Sequence, residues 1–172
     1  MTAILLIDGY NLIGAFGSLD RDSLESLRND IIKKLASYKK VKGSNVVVVF
    51  DGENSGADSE SRDRISGIDL LYSRHGEKAD DVIVRMAASG KGKYVIVTSD
   101  NDLISRCSSL GCTAITSGEF IDRMELAAAL DNEFEDYDDG SIYDTKRITK
   151  KKGNGNKLPK KERQRKAKLE KF

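Results

Sequence analysis

The sequence predicts an α/β chain: a mainly parallel sheet of about five strands between helices, followed by a basic C-terminal extension. Three observations predict it. First, runs of Val, Ile and Leu stop at an aspartate three times, ILLID at 4–8, VVVVFD at 46–51 and VIVTSD at 95–100; a continuous apolar run marks a parallel strand buried on both faces. Second, segments of helical apolar spacing separate the strands, the alternation that builds βαβ units with right-handed crossovers. Third, the residues from Asp131 onward carry too little apolar content to add to a core. A length of 172 residues suits one domain, placed at 1–130, with 131–172 as an acidic and then basic, partly flexible extension.

After the first strand, Gly9, Asn11, Gly14 and Gly17 predict a turn and loop lying over the strand ends rather than an immediate helix. Asp22 and Glu25 read as a capping box, and Leu24, Leu27, Ile31, Leu35 and Tyr38 recur at helical spacing up to Lys42-Gly43. Lys33, Lys34, Lys39 and Lys40 form the solvated face of that helix. The second strand, Val46 to Phe50, leads into DGENSGADSESRDR, a polar loop without hydrophobic periodicity, expected to be mobile. IDLLYS from Ile68 is the third strand. A helix follows from His75, with Ala79, Val82, Ile83 and Met86 as its apolar stripe and Gly90 and Gly92 closing it. Tyr94 to Thr98 is the fourth strand, Leu103 to Leu110 a short helix, CTAIT the fifth strand, and SGEFIDRMELAAAL a last helix with Ser117 as N-cap.

The formal charge of +1 hides an asymmetry. Residues 1–130 carry 16 Lys and Arg against 19 Asp and Glu; 131–145 carry 7 acids and no Lys or Arg; 146–172 carry 13 basic and 2 acidic side chains. Cys107 and Cys112 have neither CxxC spacing nor a second pair to build a zinc site, and are assigned to packing. The N-terminus opens into a strand without a basic n-region, a long apolar segment or a cleavage site, so a soluble cytoplasmic protein is expected, with no membrane partner.

In open parallel sheets ligands bind beyond the carboxyl ends of the strands, where these aspartates stand. If the fourth strand adds beside the first, on the other side from the second and third, Asp8, Asp100 and Asp102 meet at the reversal, and Asp80 or Asp81 at the start of the preceding helix points across it. Carboxylates gathered without lysines favour a hard divalent cation with oxygen ligands. Competing structural duties exist: Asp51 with Gly52 suits a turn, Asp102 suits an N-cap, and acids in a first helical turn are stabilised by the macrodipole. Asp8, at the end of the central strand, is the hardest to explain structurally.

Other folds with strand-end acids do not fit. There is no DxDG after the first strand, as a haloacid dehalogenase phosphatase needs. Ile115, Thr116 and Ser117 stand where a receiver domain needs lysine, and no glutamate follows the first strand as in a Toprim domain. Rossmann and P-loop fingerprints are absent, so no nucleotide cofactor is expected.

Ile7-Asp8-Gly9-Tyr10-Asn11, Val49-Phe50-Asp51, Lys78-Ala79-Asp80 and Thr98-Ser99-Asp100, in this order and spacing, resemble the NYN domains of the PIN-like nuclease superfamily, and more narrowly the YacP-type branch, over about residues 3–130. The resemblance implies a three-layer PIN-like sandwich and a ribosome-associated endoribonuclease. It places metal-binding acids on Asp8, Asp80 and Asp100, with Asp102 as a further catalytic acid suggested by the wider superfamily. Asp81 stands where that pattern has no carboxylate, and Asp80 is taken as the inward one of the pair. Asp51, Asp81, Asn11, Thr98 and Ser99 are expected in supporting roles, the last three by holding a carboxylate or a water through hydrogen bonds.

The expected activity is Mg²⁺- or Mn²⁺-dependent hydrolysis of RNA phosphodiester bonds leaving 5′-phosphate and 3′-hydroxyl ends, the ion activating water and neutralising charge at phosphorus. His75 is assigned to an exposed loop. An acidic mouth repels a polyanion, so affinity is expected from Arg62, Arg64 and Arg74 and from the tail, Lys146, Arg147, Lys150, Lys151, Lys152, Lys160, Lys161, Arg163, Arg165 and Lys166, with RNA and the ribosome as partners. Tyr10, Tyr72 and Phe16 are stacking candidates that packing explains equally well. Two alternatives stay open: a non-catalytic RNA- or ribosome-binding module with a structural metal site, and a small-molecule phosphohydrolase, which the cationic tail disfavours.

Overall fold

Main-chain pairing joins six strands, β1 (Ile4–Asp8), β2 (Asn45–Phe50), β3 (Ser61–Ile65), β4 (Ile68–Tyr72), β5 (Tyr94–Val97) and β6 (Thr113–Ile115), into one sheet ordered β3-β4-β2-β1-β5-β6. The computed structural model describes residues 3–17, 23–52, 58–90 and 92–135, with side chains to 131. Every pairing is parallel except β3 with β4. β5 adds to β1 on the side away from β2, so the order reverses at β1 and opens the expected crevice between β1 and β5.

Alternation along the central strands sorts their side chains into two cores. Leu5, Ile7, Val46, Val48, Phe50, Val95 and Val97 pack toward α2 (Leu24–Lys42) and α5 (Ser117–Glu135), with α1 (Gly9–Ala15) on the same face. Leu6, Val49, Leu71 and Ile96 pack toward α3 (Ala79–Gly90) and α4 (Asn101–Ser109) on the other. Burying one such aliphatic side chain stabilises the fold by about 1.5–3 kcal/mol. The result is the three-layer α/β sandwich expected of a PIN-like chain. Among the described residues no helix is long and apolar enough to cross a membrane.

Several local expectations are corrected. The glycine-rich stretch after β1 is a helix, not a loop: the Asp8 carboxylate accepts from the Asn11 N–H at 3.2 Å and caps α1, whose Leu12 and Ile13 are buried. The polar stretch after β2 contains a strand, β3, so the sheet has six strands rather than about five; residues 53–57 lie outside the described residues. All five β3 side chains are exposed, so no apolar alternation betrays it. Main-chain bonds to β4 hold it, together with a two-residue turn in which Ser66 and Gly67 have φ of 52° and 79°, the left-handed pair a tight hairpin needs. The Lys39 ammonium donates to the Gly67 carbonyl at 2.6 Å and ties that turn to α2.

Caps also differ. Ser23 caps α2 in place of Asp22, Asp100 caps α4 in place of Asp102, and α3 begins at Ala79 rather than His75. At α5, Thr116 and Glu119 bond each other's backbone N–H at 3.2 Å in a capping box, which leaves the buried Ser117 side chain free to turn inward. α5 runs to Glu135, into the acidic stretch. Cys107 and Cys112 are buried free thiols, and burial first, then Cys112, pushes the Cys107 thiol up to about 11, as packing residues require.

Candidate active site

The period of two that sorts the core also aims the strand ends. Leu6, Val49 and Ile96 face α3 and α4; two residues on, Asp8, Asp51 and Thr98 face the same way. Asp8 is 8% exposed. Its Oδ1 accepts from Asn11 N–H and its Oδ2 from the Thr98 hydroxyl at 3.3 Å, and that hydroxyl in turn accepts from Asp100 N–H at 3.2 Å. Asp51 Oδ1 accepts from the Ala79 N–H at 2.6 Å, pinning the start of α3 to the end of β2. Asp100 Oδ1 accepts from the N–H groups of Asp102 and Leu103 at 2.8 and 3.2 Å. Each of these three aspartates therefore holds a helix N-terminus in place.

Burial pushes the Asp8 carboxyl from 3.8 up to about 6; the Asn11 N–H and the Thr98 hydroxyl pull it down, while Asp80 and Asp51 push it further up. The Asp80 carboxyl is raised as well, by burial first, then by Asp100 and Asp51, with Arg106 opposing. Asp80 is thus the member of the pair that shares the crevice with Asp8, Asp51 and Asp100. Asp81 points outward to the Arg106 guanidinium at 3.0 Å. Asp102, 81% exposed and 3.9 Å from Arg106, is not drawn into the crevice.

Among the described residues no three carboxylate, histidine or cysteine groups form a ready-made cation cage. In kind, however, the donors fit a hard divalent ion: they are oxygen-only, and Asp8 and Asp80 are raised by burial first and then by neighbouring carboxylates. An ion that keeps part of its own water, as Mg²⁺ does, asks for only one or two carboxylates.

A hydrogen-bonded keystone flanks the acids. Asn11 Oδ1 accepts from Ser99 N–H at 2.8 Å and from the Ser117 hydroxyl at 2.7 Å, and Ser99 Oγ accepts from Ser117 N–H at 3.1 Å. Asn11 thereby fastens α1 to the turn after β5 and to α5. Asn11→Ala is expected to cost about 2 kcal/mol, because the fully buried Ser117 hydroxyl loses its acceptor; a denaturant midpoint equal to the parent's removes that role.

Sequence reasoning missed Ser117 as a site support, and it missed Ser73, Glu77, Arg85 and Arg106. Ser73, 1% exposed, accepts from Gly52 N–H at 2.9 Å and donates to the Glu77 carbonyl at 2.6 Å. Glu77 pairs with Arg74 at 3.3 Å and with Arg85, which also holds Glu60. Spacing carries no trace of the pairing of Ser73 with Gly52 or of Arg85 with Glu60, 21 and 25 residues apart. Arg106, four residues after Asp102, is the exception that an i,i+4 pattern exposes.

The other candidates fall as follows. Arg62 and Arg64 stand on β3, Arg64 paired with Asp69 at 3.4 Å. Arg74, His75, Gly76 and Glu77 line an open cleft with Asp58 and Asp81 beside the acids. Tyr10 meets the buried Phe50 edge-on at 5.3 Å, Tyr72 stacks on Phe50 at 5.8 Å, and Lys34 lies over Phe16 at 5.4 Å, so the three aromatic candidates pack against their own chain. Lys146, Arg147, Lys150, Lys151, Lys152, Lys160, Lys161, Arg163, Arg165 and Lys166 lie outside the described residues.

Comparison with known proteins agrees with this architecture. The family model of the YacP-like NYN domain matches residues 5–171. The Bacillus subtilis protein YacP is 34% identical over 87 residues, 49% of this chain and 51% of that relative, so the match spans about half the relative's length. The crystal structure of a single-substitution form of Rae1 (YacP) from Bacillus subtilis superposes with a TM-score of 0.66 at 25% identity, covering 81% of this chain and 86% of the other. A second crystal structure of Rae1 (YacP), at 24% identity and a TM-score of 0.64, covers 78% and 80% and shares the fold.

Proposed function

The chain belongs to the YacP-like NYN domain family, and from that premise we propose that it is a metal-dependent endoribonuclease that hydrolyses RNA phosphodiester bonds, with ribosome-associated messenger as its substrate. The observation that carries the reading is the convergence of four carboxylates: the Thr98 hydroxyl links the buried Asp8 to the Asp100 backbone, and Asp51 bonds the Ala79 N–H next to Asp80. Helix capping accounts for one oxygen each of Asp8, Asp51 and Asp100 but not for gathering Asp80 beside them, and a divalent ion would offset the repulsion among the group.

In this reading Asp8, Asp80 and Asp100 would hold Mg²⁺ or Mn²⁺, which when bound would supply an acidified water and neutralise charge building on the phosphoryl oxygens. The chain's own groups do the positioning. Asn11 N–H and the Thr98 hydroxyl fix both oxygens of Asp8 before any substrate arrives. Asp51 fixes where α3 begins and so where Asp80 projects. Arg106 draws Asp81 away and leaves one carboxylate of the pair inside. Arg62 and the basic tail, including Lys150 to Lys152, Lys160, Lys161, Arg163 and Arg165, would supply most of the attraction for a polyanion that the acids lack, with Arg64 and Arg74 contributing less because each is paired with its own carboxylate.

One observation favours a second reading, a non-catalytic RNA- or ribosome-binding module. Asp8, Asp51 and Asp100 all bond helix N-termini, a structural task that could retain them without chemistry. Single-stranded RNA incubated with Mn²⁺ or Mg²⁺, with and without chelator, separates the two. The proposed enzyme gives metal-dependent cuts with 5′-phosphate ends. Asp80→Asn loses at least ~100-fold in rate, whereas Asp81→Asn, outside the crevice, stays within about threefold. RNA bound without any chelator-sensitive cut supports the second reading instead.

A further inference from the structure

The register of the sheet places a basic side chain opposite the acids. Asp8 pairs with Val49, Val49 with Leu71, and Leu71 with Arg62, so the four residues form one row across β1, β2, β4 and β3. Residues directly opposite one another share a face; Leu71 packs on the α3 side, so Arg62 and Asp8 stand on that same side. Three interstrand steps of about 4.8 Å separate them by roughly 14 Å, a span that a few nucleotides of extended single strand bridge. Val49 and Leu71 between them are buried against α3. Beside the first turn of α3 an open cleft is lined by Arg74, His75 and Gly76 and by the acids Asp58, Glu77 and Asp81, of which Glu77 is paired with Arg74 and Arg85 and Asp81 with Arg106.

Arg62 differs from the other arginines near this path. Arg64 is taken by Asp69, Arg74 by Glu77, Arg85 by Glu60 and Glu77, and Arg106 by Asp81. Arg62 is exposed and has no ion pair among the described residues. Its flanking neighbours on that face, Glu60 and Arg64, are neutralised by Arg85 and Asp69, so its charge is not cancelled locally. β3 is an edge strand clamped at both ends: the Glu60–Arg85 pair holds its start to α3, and the Ser66-Gly67 turn under Lys39 holds its end. The arginine thus sits on a fixed element at a fixed distance from the acids.

We infer that β3 is the docking ribbon for the substrate strand, with Arg62 binding an RNA phosphate a few nucleotides from the bond to be cut. This rests on the RNA-nuclease reading of the acidic crevice. Because the contact is made equally in ground and transition states, its loss raises KM and leaves kcat unchanged.

The test uses the full chain. Binding of a fluorescent single-stranded RNA is followed by anisotropy in the Asp8→Asn background, and cleavage in the parent background, each with Arg62→Ala, Arg62→Lys and Lys33→Ala. Lys33, paired with Asp30 on the far face, carries the same charge and controls for net charge alone. Arg62→Ala is expected to weaken binding on the order of fivefold, to flatten the dependence of log affinity on log salt by about 0.7, and to raise KM without changing kcat. Arg62→Lys restores most of the affinity, and the Ala penalty vanishes on a dinucleotide too short to reach β3. An Arg62→Ala slope equal to the parent's, or an equal loss in Lys33→Ala, overturns the inference while metal-dependent cleavage by the parent still stands. Conversely, a parent that binds RNA through Arg62 but never cuts it keeps the docking ribbon and loses the nuclease.

Discussion

Asp8→Asn is expected to abolish cleavage and, in chelator at pH 7.5, to make the protein more stable than the parent. The folded chain holds the Asp8 proton up to about pH 6, against 3.8 for an ordinary aspartate. Between those two values the folded state binds more protons than the unfolded one, so the stability contributed by this group falls as pH rises through the window. Above it the penalty for keeping the carboxylate ionised in its buried position levels off at about 3 kcal/mol. Asparagine has no charge to desolvate and keeps an oxygen for the Asn11 N–H, at the cost of a reoriented Thr98 hydroxyl. A gain of about 2 kcal/mol follows, or about 5 °C in Tm at pH 7.5, shrinking to nothing near pH 4, where the parent's Asp8 is also neutral. In the proposed nuclease, removing this carboxylate is expected to lower the rate by at least ~10³. Mn²⁺ is expected to reverse the ranking, because an ion held by the proposed site would stabilise the folded parent by mass action and leave the variant unmoved. Thermal melts at the two pH values, with and without Mn²⁺, check each step. A variant that melts below the parent at pH 7.5 in chelator would show that Asp8 is retained as a structural cap rather than tolerated for chemistry.

Burial and main-chain bonding decide which parts of the molecule its sequence discloses. β1, β2 and β5 announce themselves because a strand covered on both faces needs an unbroken apolar run, whereas β4 and β6 are read from shorter apolar stretches between helical segments, and the reversal at β1 follows from placing each crossover helix on a face. Asp8 and Asp51 are legible for the same reason, as the first polar residues after such runs, and Asp100 closes the Thr98-Ser99-Asp100 turn after the third. Elements held by main-chain bonds or by distant partners are not. β3 leaves no apolar trace because all its side chains meet solvent. α1 was hidden by glycines whose loop signal is outweighed by a cap from Asp8 and by the burial of Leu12 and Ile13. The choice between Asp80 and Asp81 depends on Arg106, 25 residues from Asp81 in sequence, and the anchoring of Asn11 on Ser117, 106 residues away. Local spacing has no access to either.

Gly9→Ala is expected to destabilise the protein by about 2 kcal/mol and to disturb the site next to it. Helix propensity alone predicts the opposite, a gain of up to ~1 kcal/mol for alanine over glycine inside a helix. The overriding term is space. A Cβ at Gly9 falls inside van der Waals contact with Phe50 Cε1, Cδ1 and Cζ, the last at 2.8 Å. Phe50 is fully buried, with Tyr10 against its edge, Tyr72 stacked on one side and the Arg28 guanidinium 6.0 Å from its ring centroid, so the ring has nowhere to retreat. Overpacking of this kind costs about 1–3 kcal/mol, and the upper end applies where the clashing group is enclosed. The backbone that must yield instead runs from Asp8 to Asn11, so the carboxylate and the keystone amide shift together, and cleavage falls with stability. Phe50→Leu supplies the diagnostic partner. Alone it loosens the aromatic row and costs about 1 kcal/mol; combined with Gly9→Ala it vacates the clashing volume, and the double variant is expected to be more stable than the sum of the two losses by at least ~1 kcal/mol. Strict additivity in that cycle, measured by denaturant unfolding, would mean that Gly9 is kept for backbone freedom and not for the ring that crosses it.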